Sequence, residues 1–303
     1  MSRDHARDED DIVPEAASQR FKICLFITST VLGTCSWALT AVIVLAMKAE
    51  LETSVKSAVE IGLFTSWATS LGASLSVVVD YAHRRIQTND FAPLTSVVFG
   101  QLVWQTLPVA LLFLSSIALQ GCAMMFVSAT IASMNFVASM TLATAFLTTF
   151  FLHEPLERRE IFGLCFIAGS LASVGVFEET FVDDDDDDDG LFIKNSATYA
   201  ALGISMATFA GVCFAGINVM YQKILAEPGT PVTPLALNGV VCFECLVLLT
   251  VVVYPGLYAL GLFDTPFRWI GALVNTSNVA IIPSYVLSKL IWSSLATVSS
   301  TAS

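Results

Sequence analysis

Charged side chains are scarce in this 303-residue chain, and their scarcity excludes an ordinary soluble domain. Only 13% of the residues are charged and 55% are hydrophobic, whereas about a quarter of the residues of soluble domains are charged. Acids outnumber bases by 26 to 14, but seven acids form one run, Asp183–Asp189, and others cluster before Arg20. The acidity therefore lies in tails and loops rather than in the apolar segments.

Signals for several other functions are also missing. No glycine-rich phosphate loop of the Walker type occurs, so nothing supports direct ATP drive. No basic patch occurs, so we expect no nucleic-acid partner. The seven cysteines lie within or beside apolar runs, where a thiol behaves as a small hydrophobe, and they predict neither a disulfide framework nor a metal site. We therefore expect no metal and no cofactor.

Residues 1–20 are too charged to hold the apolar core of a signal peptide. They are followed by a train of about eight long apolar segments, and a helix needs about 20 apolar residues to cross hydrocarbon. The sequence therefore predicts an all-α polytopic membrane protein with about eight transmembrane helices. Gln120 and Gly121 are expected to separate the third from the fourth. The predicted spans are Phe21–Met47, Ser57–Asp80, Val97–Leu119, Met124–Leu152, Ile161–Phe177, Ala197–Gln222, Pro234–Leu262 and Trp269–Ile291.

Basic residues between the spans fall mostly on alternate sides. With the N-terminus in the cytosol, the cytosolic segments before the eighth span hold nine lysines and arginines, and the opposite side holds four. This asymmetry satisfies the positive-inside rule. It predicts a cytosolic acidic tail at residues 1–20 and a non-cytosolic acidic loop at residues 179–195. The aspartate run in that loop lacks the spacing and turn glycine of a calcium loop, which favours a solvated hinge.

The segments on either side of this hinge are weakly similar. The stretch GTCSWALT from Gly33 aligns with GVCFAGIN from Gly211, and the predicted topology makes the two helices antiparallel, as in inverted repeats. The sixth span also carries small residues at four-residue spacing, which let a neighbouring backbone approach closely. These residues are Gly203, Ala207, Gly211 and Ala215.

The stretch from Ser128 to Phe177 resembles the signature of the drug/metabolite transporter superfamily. A helix of small and polar residues ends in a Leu-x-Glu turn, and the next helix carries spaced glycines. The segment from Tyr199 to Leu262 is similar to the second half of the EamA-like, nucleotide-sugar-transporter-like solute carriers. The resemblance implies a bundle of ten helices in two inverted sets of five. The matching structural positions are Glu154, Leu156, Gly163, Gly169 and Gly175.

The chain departs from that ten-helix pattern in its second half. Gly211 follows Gly33 by 178 residues, which would place the counterpart of Glu154 at position 332, beyond Ser303. We therefore expect a first five-helix repeat at residues 21–178. An incomplete second repeat of about three helices would occupy residues 196–303, either as the product of a truncated gene model or a splice form, or because the family can function with an incomplete second half.

Polar residues inside the spans are the candidates for a solute cavity. Glu244 lies near the middle of the seventh span with no basic residue one turn away. A carboxyl group there is expected to be protonated or to face a polar cavity, which makes it the candidate coupling residue. A purely structural hydrogen-bonding role stays open for each of these residues. The resemblance implies a cavity lined by the helices that carry Gln101, Gln105, Asn135, Ser139, Asn218 and Tyr221.

These features predict a secondary transporter of a small organic solute, coupled to protons or driven by exchange, and not an enzyme. Three alternatives stay open: a membrane scaffold without transport, a magnesium-type divalent-cation transporter of the same superfamily, and an intramembrane hydrolase with Ser74 in a GxS turn. The expected partners are the solute and the lipid bilayer, with a homodimer left open. No motif decides between an endomembrane of the Golgi, ER or vacuole type and the plasma membrane.

Overall fold

The computed structural model describes residues 27–28, 31, 35–36, 38–45, 47, 55–78, 96–153, 155–181, 197–226, 232–262 and 284–291. The N-terminal tail, Gly33, Glu154 and the aspartate run lie outside the described residues. Within these ranges the regular structure is helical, with no strand. The all-α prediction is therefore confirmed for the part of the chain that the structure describes.

Seven α-helices have defined bounds in the described ranges. Two π-helical segments extend them: Thr148–Leu152 continues the third helix, and Leu248–Val253 joins the sixth to the seventh. Further helical residues occur at 38–45 and 284–291. The α-helices are α1 (Val55–Ser74), α2 (Ser96–Phe126), α3 (Ala129–Leu147), α4 (Arg158–Phe181), α5 (Ala197–Ala226), α6 (Pro234–Val247) and α7 (Tyr254–Ala259).

Five helical segments among the described residues are long and apolar enough to cross a membrane. They correspond to the predicted second, third, fourth, sixth and seventh spans. Each has at least 23 residues, which exceeds the length that hydrocarbon requires. The fold is thus compatible with an integral membrane protein, and the total of eight spans and the inverted repeat stay predictions. The five segments are Lys56–Val78, Leu102–Phe126, Ala129–Leu152, Thr198–Ala226 and Pro234–Ala259.

The predicted break between the third and fourth spans is wrong. Helix α2 runs through Gln120 and Gly121 without interruption. Gly121 is a packing position, because a Cβ added there would lie only 2.5 Å from Thr65 Oγ1 of α1. The break comes at Ser128, whose hydroxyl oxygen accepts a hydrogen bond of 3.3 Å from the Ile131 amide and caps α3.

Helix α2 lies at the centre of the described bundle and packs against α1, α5 and α6. Its contact with α1 is close, because a Cβ added at Gly62 would overlap the Ala118 carbonyl oxygen. On its other side the Ser116 hydroxyl donates to the Ala210 carbonyl of α5 at 2.9 Å. The core around these contacts is apolar and includes the buried side chains of Phe64, Val109, Met125, Leu237 and Val240.

The small residues of α5 lie where this helix has its closest neighbours. Ala207 and Ala215 are fully buried. A Cβ added at Gly203 would lie 3.0 Å from Phe126 Cβ at the end of α2, and one added at Gly211 would lie 2.5 Å from the Phe136 carbonyl oxygen of α3. The absence of larger side chains on this face is what allows α2 and α3 to approach α5.

Helices α3 and α4 present an apolar outer surface. Phe146, Phe150, Phe162 and Phe166 are 65–78% exposed. In water, a contiguous apolar surface of this kind marks an interface, whereas in a bilayer it is the ordinary contact with lipid chains. Such a surface suits a bundle surrounded by lipid.

Candidate functional site

A carboxyl group is buried in the middle of the span that contains α6. Glu244 is only 7% exposed. The Thr106 hydroxyl of α2 lies 2.6 Å from Glu244 Oε1 and 2.8 Å from the Leu102 carbonyl oxygen of its own helix. Glu244 Oε2 is buried and has no hydrogen-bond partner in the part of the chain that the structure describes. Half of this carboxyl group is therefore left unsatisfied by the described protein.

Two further polar pairs lie near this carboxyl group. The Tyr221 hydroxyl of α5 donates to Asn238 Oδ1 of α6 at 3.2 Å. The Cys245 thiol donates to the Ala110 carbonyl of α2 at 3.0 Å, and Tyr221 packs against the same core cluster as Ala110 and Cys245. Helices α2, α5 and α6 therefore converge around Glu244 on a polar region within an apolar core, which we call the Glu244 cluster.

A groove of about 680 Å³ opens between α3, α4 and α5. We call it the α3/α5 groove. Its volume falls within the range of small-molecule sites, about 300–1,000 Å³. It is lined by Met140, Thr141, Thr144, Ala145, Thr148, Pro155, Leu156, Glu157, Glu160, Gly163, Leu164, Ile167 and Asn218.

The groove contains polar groups that the described protein does not satisfy. The Thr141 hydroxyl donates to the Val137 carbonyl of its own helix at 2.8 Å. The side chains of Thr144, Thr148 and Asn218, by contrast, make no hydrogen bond to another described residue. These three side chains are partly exposed. These three are therefore free to bond water or a solute in the groove.

The structure separates the residues that the sequence predicts to line one cavity. Asn218 lies in the α3/α5 groove, whereas Tyr221, one turn further along α5, bonds to α6 in the Glu244 cluster. Gln105 is exposed on α2. Gln101 also lies in α2, but its side chain is outside the described part of the structure.

Asn135 and Ser139 are both buried and bond to the backbone of their own helix. Asn135 Nδ2 donates to the Ile131 carbonyl at 3.0 Å, and the Ser139 hydroxyl donates to the Asn135 carbonyl at 2.6 Å. A Cβ added at Gly211 would overlap Ser139 Oγ. This pair therefore lies in the contact between α3 and α5, outside both the groove and the Glu244 cluster.

Gly163 and Gly169 of the predicted signature are exposed in α4 rather than packed. A Cβ added at Gly163 or Gly169 would meet nothing within 4 Å among the described residues. Gly163 instead lines the α3/α5 groove. Gly175 lies in α4, and Glu154 lies outside the described residues. The Ser74 hydroxyl donates to the Leu71 carbonyl at 2.8 Å, as an ordinary helical serine does.

The structure contains a second polar cluster that the sequence pattern does not predict. The Tyr285 hydroxyl lies 2.9 Å from Thr69 Oγ1 and 3.3 Å from Thr40 Oγ1. It thereby joins the helical residues at 38–45, helix α1 and the helical residues at 284–291. Lys289 is only 5% exposed, with its ammonium 5.0 Å from the centre of the Tyr285 ring. Single hydroxyl residues within apolar runs do not indicate which of them, far apart in the sequence, will be in contact.

No protein-family model matches the sequence, and no curated protein matches it significantly. The resemblance to drug/metabolite transporters therefore remains a hypothesis about this chain, to be tested through the chemistry of the site.

Proposed function

We propose that this protein is a secondary transporter that carries a small organic solute by alternating access, with the Glu244 carboxyl group as its proton-coupling site. In this proposal the chain is a member of the drug/metabolite transporter superfamily, of the EamA-like type. The observation that carries the proposal is the arrangement of Glu244 and Thr106 in the middle of the bundle. The α3/α5 groove supplies the room for a solute.

The hydrogen-bond geometry at Thr106 favours a proton on Glu244. A threonine hydroxyl has one proton to donate and can also accept. With Glu244 neutral, the hydroxyl can donate to the Leu102 carbonyl and accept the carboxyl proton, whereas an ionised Glu244 leaves two acceptors to share the single hydroxyl proton. A neutral carboxyl group also avoids the cost of a charge inside the membrane. We therefore assign to Glu244 a proton that is bound in one state of the transport cycle and released in another.

Helix α5 supports a link between solute and proton, because it contributes to both features. Asn218 faces the α3/α5 groove, and Tyr221, three residues later, belongs to the Glu244 cluster. A displacement of α5 on solute binding would change the contacts of both residues. Two sites are coupled when one structural element has two arrangements and ligand binding at each site changes the balance between them.

Uptake from a mixed pool of solutes tests the proposal, because the transported solute is then selected by the protein itself. The full chain is reconstituted into liposomes with an imposed pH gradient and incubated with a deproteinised metabolite extract. Mass spectrometry of the vesicle contents should then find at least one small organic solute enriched over empty liposomes. A protonophore should abolish its accumulation, and Glu244→Gln should reduce proton-driven accumulation at least tenfold.

A matched variant separates coupling from folding in this assay. Thr250→Val changes an exposed residue of the same span, whose hydroxyl donates to the Leu246 carbonyl at 2.7 Å, and it should leave uptake unchanged. If folded protein enriches no solute, the scaffold alternative replaces the transporter. If only Mg²⁺ or Mn²⁺ enters, the divalent-cation alternative replaces it.

A further inference from the structure

We propose that the α3/α5 groove binds the ammonium group of an amphipathic organic cation, with the carboxylates of Glu157 and Glu160 as counter-charges at its mouth. The inference rests on the proposed transport function and deepens it, because it names the chemical class of the solute. It uses no residue of the Glu244 cluster.

The charges that line the groove have one sign. Glu157 and Glu160 belong to the lining, whereas Arg158 and Arg159 between them do not. Residues three apart share a helical face and the residues between them point elsewhere. Neither arginine forms an ion pair or a hydrogen bond with another described residue. The two carboxylates therefore form no ion pair with their neighbours in sequence.

The protein uses only part of this acidic pair. Glu160 Oε2 accepts a hydrogen bond of 2.8 Å from the Glu157 backbone N–H, as in a capping box at a helix start. The Glu157 carboxylate has no partner among the described residues, and both side chains are exposed. A cationic head group at the groove mouth would face the two carboxylates without displacing a described contact.

The interior of the groove suits the remainder of an amphipathic cation. Leu164 and Ile167 provide an apolar wall, and Thr148 and Asn218 offer hydrogen-bonding groups without described partners. An anionic solute is disfavoured, since its phosphates would face the two carboxylates at the mouth, and like charges repel. The groove chemistry thus differs from what a nucleotide-sugar substrate would require.

Binding of two small probes of opposite charge tests the proposal. Isothermal titration of the purified full chain in a non-ionic detergent compares benzyltrimethylammonium with phenyl phosphate, which has similar size. We expect benzyltrimethylammonium to bind and phenyl phosphate not to bind. Glu157→Gln should weaken the binding of benzyltrimethylammonium about fivefold, the effect of removing a partly exposed ion pair. Arg159→Gln, which changes a neighbour outside the lining, should leave the affinity within about twofold.

A second pair of measurements identifies the source of the ammonium group. The same titration is made in nanodiscs of phosphatidylcholine and of phosphatidylglycerol, for both the wild type and Glu157→Gln. If benzyltrimethylammonium binds more weakly in phosphatidylcholine than in phosphatidylglycerol, and Glu157→Gln removes this difference, a lipid choline head group occupies the groove. Equal affinities for benzyltrimethylammonium in the two kinds of nanodisc would point to a soluble amine. Either result supports an ammonium ligand.

Other results overturn the proposal. One such result is that phenyl phosphate binds as tightly as benzyltrimethylammonium. Another is that neither Glu157→Gln nor Glu160→Gln changes the affinity for benzyltrimethylammonium. Glu160→Gln keeps an acceptor for the helix cap. Every variant must match the wild type in circular dichroism and in gel filtration. Ammonium binding without uptake of any solute would refute transport but keep the ligand class. Uptake of a neutral or anionic solute without ammonium binding would do the reverse.

Discussion

Thr106 is the only hydrogen-bond partner of the Glu244 carboxyl group among the described residues. Thr106→Val removes the hydroxyl and nearly keeps the side-chain shape. We expect it to lower the free energy of unfolding by about 1 kcal/mol, because a hydrogen bond between membrane helices contributes about 0.6 kcal/mol on average and a buried polar group then loses its partner. Reversible unfolding in mixed dodecyl maltoside and SDS micelles, followed by circular dichroism, measures the change.

The matched control for this prediction is Thr250→Val. Thr250 is exposed and bonds only to its own helix, so its loss should cost less than about 0.5 kcal/mol. Equal effects of the two variants would contradict a specific role for the contact between Thr106 and Glu244.

The sequence predicts Glu244 but not its partner, and the reason is physical. A carboxyl group inside an apolar run is visible from composition alone, because its burial is costly. In α2 the polar residue that attracts attention is Gln105, which the structure leaves exposed, whereas Thr106 is fully buried. Adjacent helical residues point in different directions, and only packing decides which of them faces the core.

At the scale of the helices, the approach of α5 to α3 depends on Gly211. A Cβ there would overlap Ser139 Oγ and lie 2.5 Å from the Phe136 carbonyl oxygen. We expect Gly211→Ala to lower the free energy of unfolding by about 1–3 kcal/mol, because the added methyl group must push the two backbones apart. Gly163→Ala, where nothing lies within 4 Å, should be neutral or stabilise by up to about 1 kcal/mol through helix propensity.

These two glycines make the prediction falsifiable in one experiment, the same micelle unfolding assay. If Gly211→Ala and Gly163→Ala have equal effects, close packing at Gly211 is not what stabilises the bundle. The sequence marks Gly211 through its four-residue ladder. It does not mark the approach of Gly62 to Gly121, because two single glycines on different helices show no shared periodicity.

The start of α3 depends on a local cap at Ser128. Its hydroxyl oxygen accepts the Ile131 amide, which would otherwise lack a partner. We expect Ser128→Ala to lower the free energy of unfolding by about 1 kcal/mol. Ser128→Asp, which keeps an acceptor at the cap, should retain most of the stabilisation that the cap provides. Ser115→Ala, which removes an exposed hydroxyl bonded to the Leu111 carbonyl, is the control. If Ser128→Ala costs no more than Ser115→Ala, the cap does not define the boundary between α2 and α3.

Across the whole molecule, the helix contacts sort the charged segments between two ends. The N-terminal part of α5 packs on the C-terminal end of α2, as Gly203 shows. The opposite part of α5 shares the α3/α5 groove with Leu156, next to the start of α4. Arg158 and Lys223 therefore belong to the same end of the bundle. The predicted topology also places both residues on the same side of the membrane. It could not predict which helices are in contact, because contacts between distant apolar segments leave no pattern in one sequence.

The distribution of basic residues predicts that this shared end faces the cytosol. An epitope inserted between Ala226 and Val232 should then be reached by antibody once the plasma membrane is selectively permeabilised with digitonin. An epitope that replaces Asp183–Asp189 should lie on the other side. It should be reached in intact cells if the protein is in the plasma membrane, and only after full solubilisation if it is in an endomembrane. If digitonin exposes both epitopes and neither is reached in intact cells, the topology is refuted, since α5, which lies between the two loops, would then not cross the membrane.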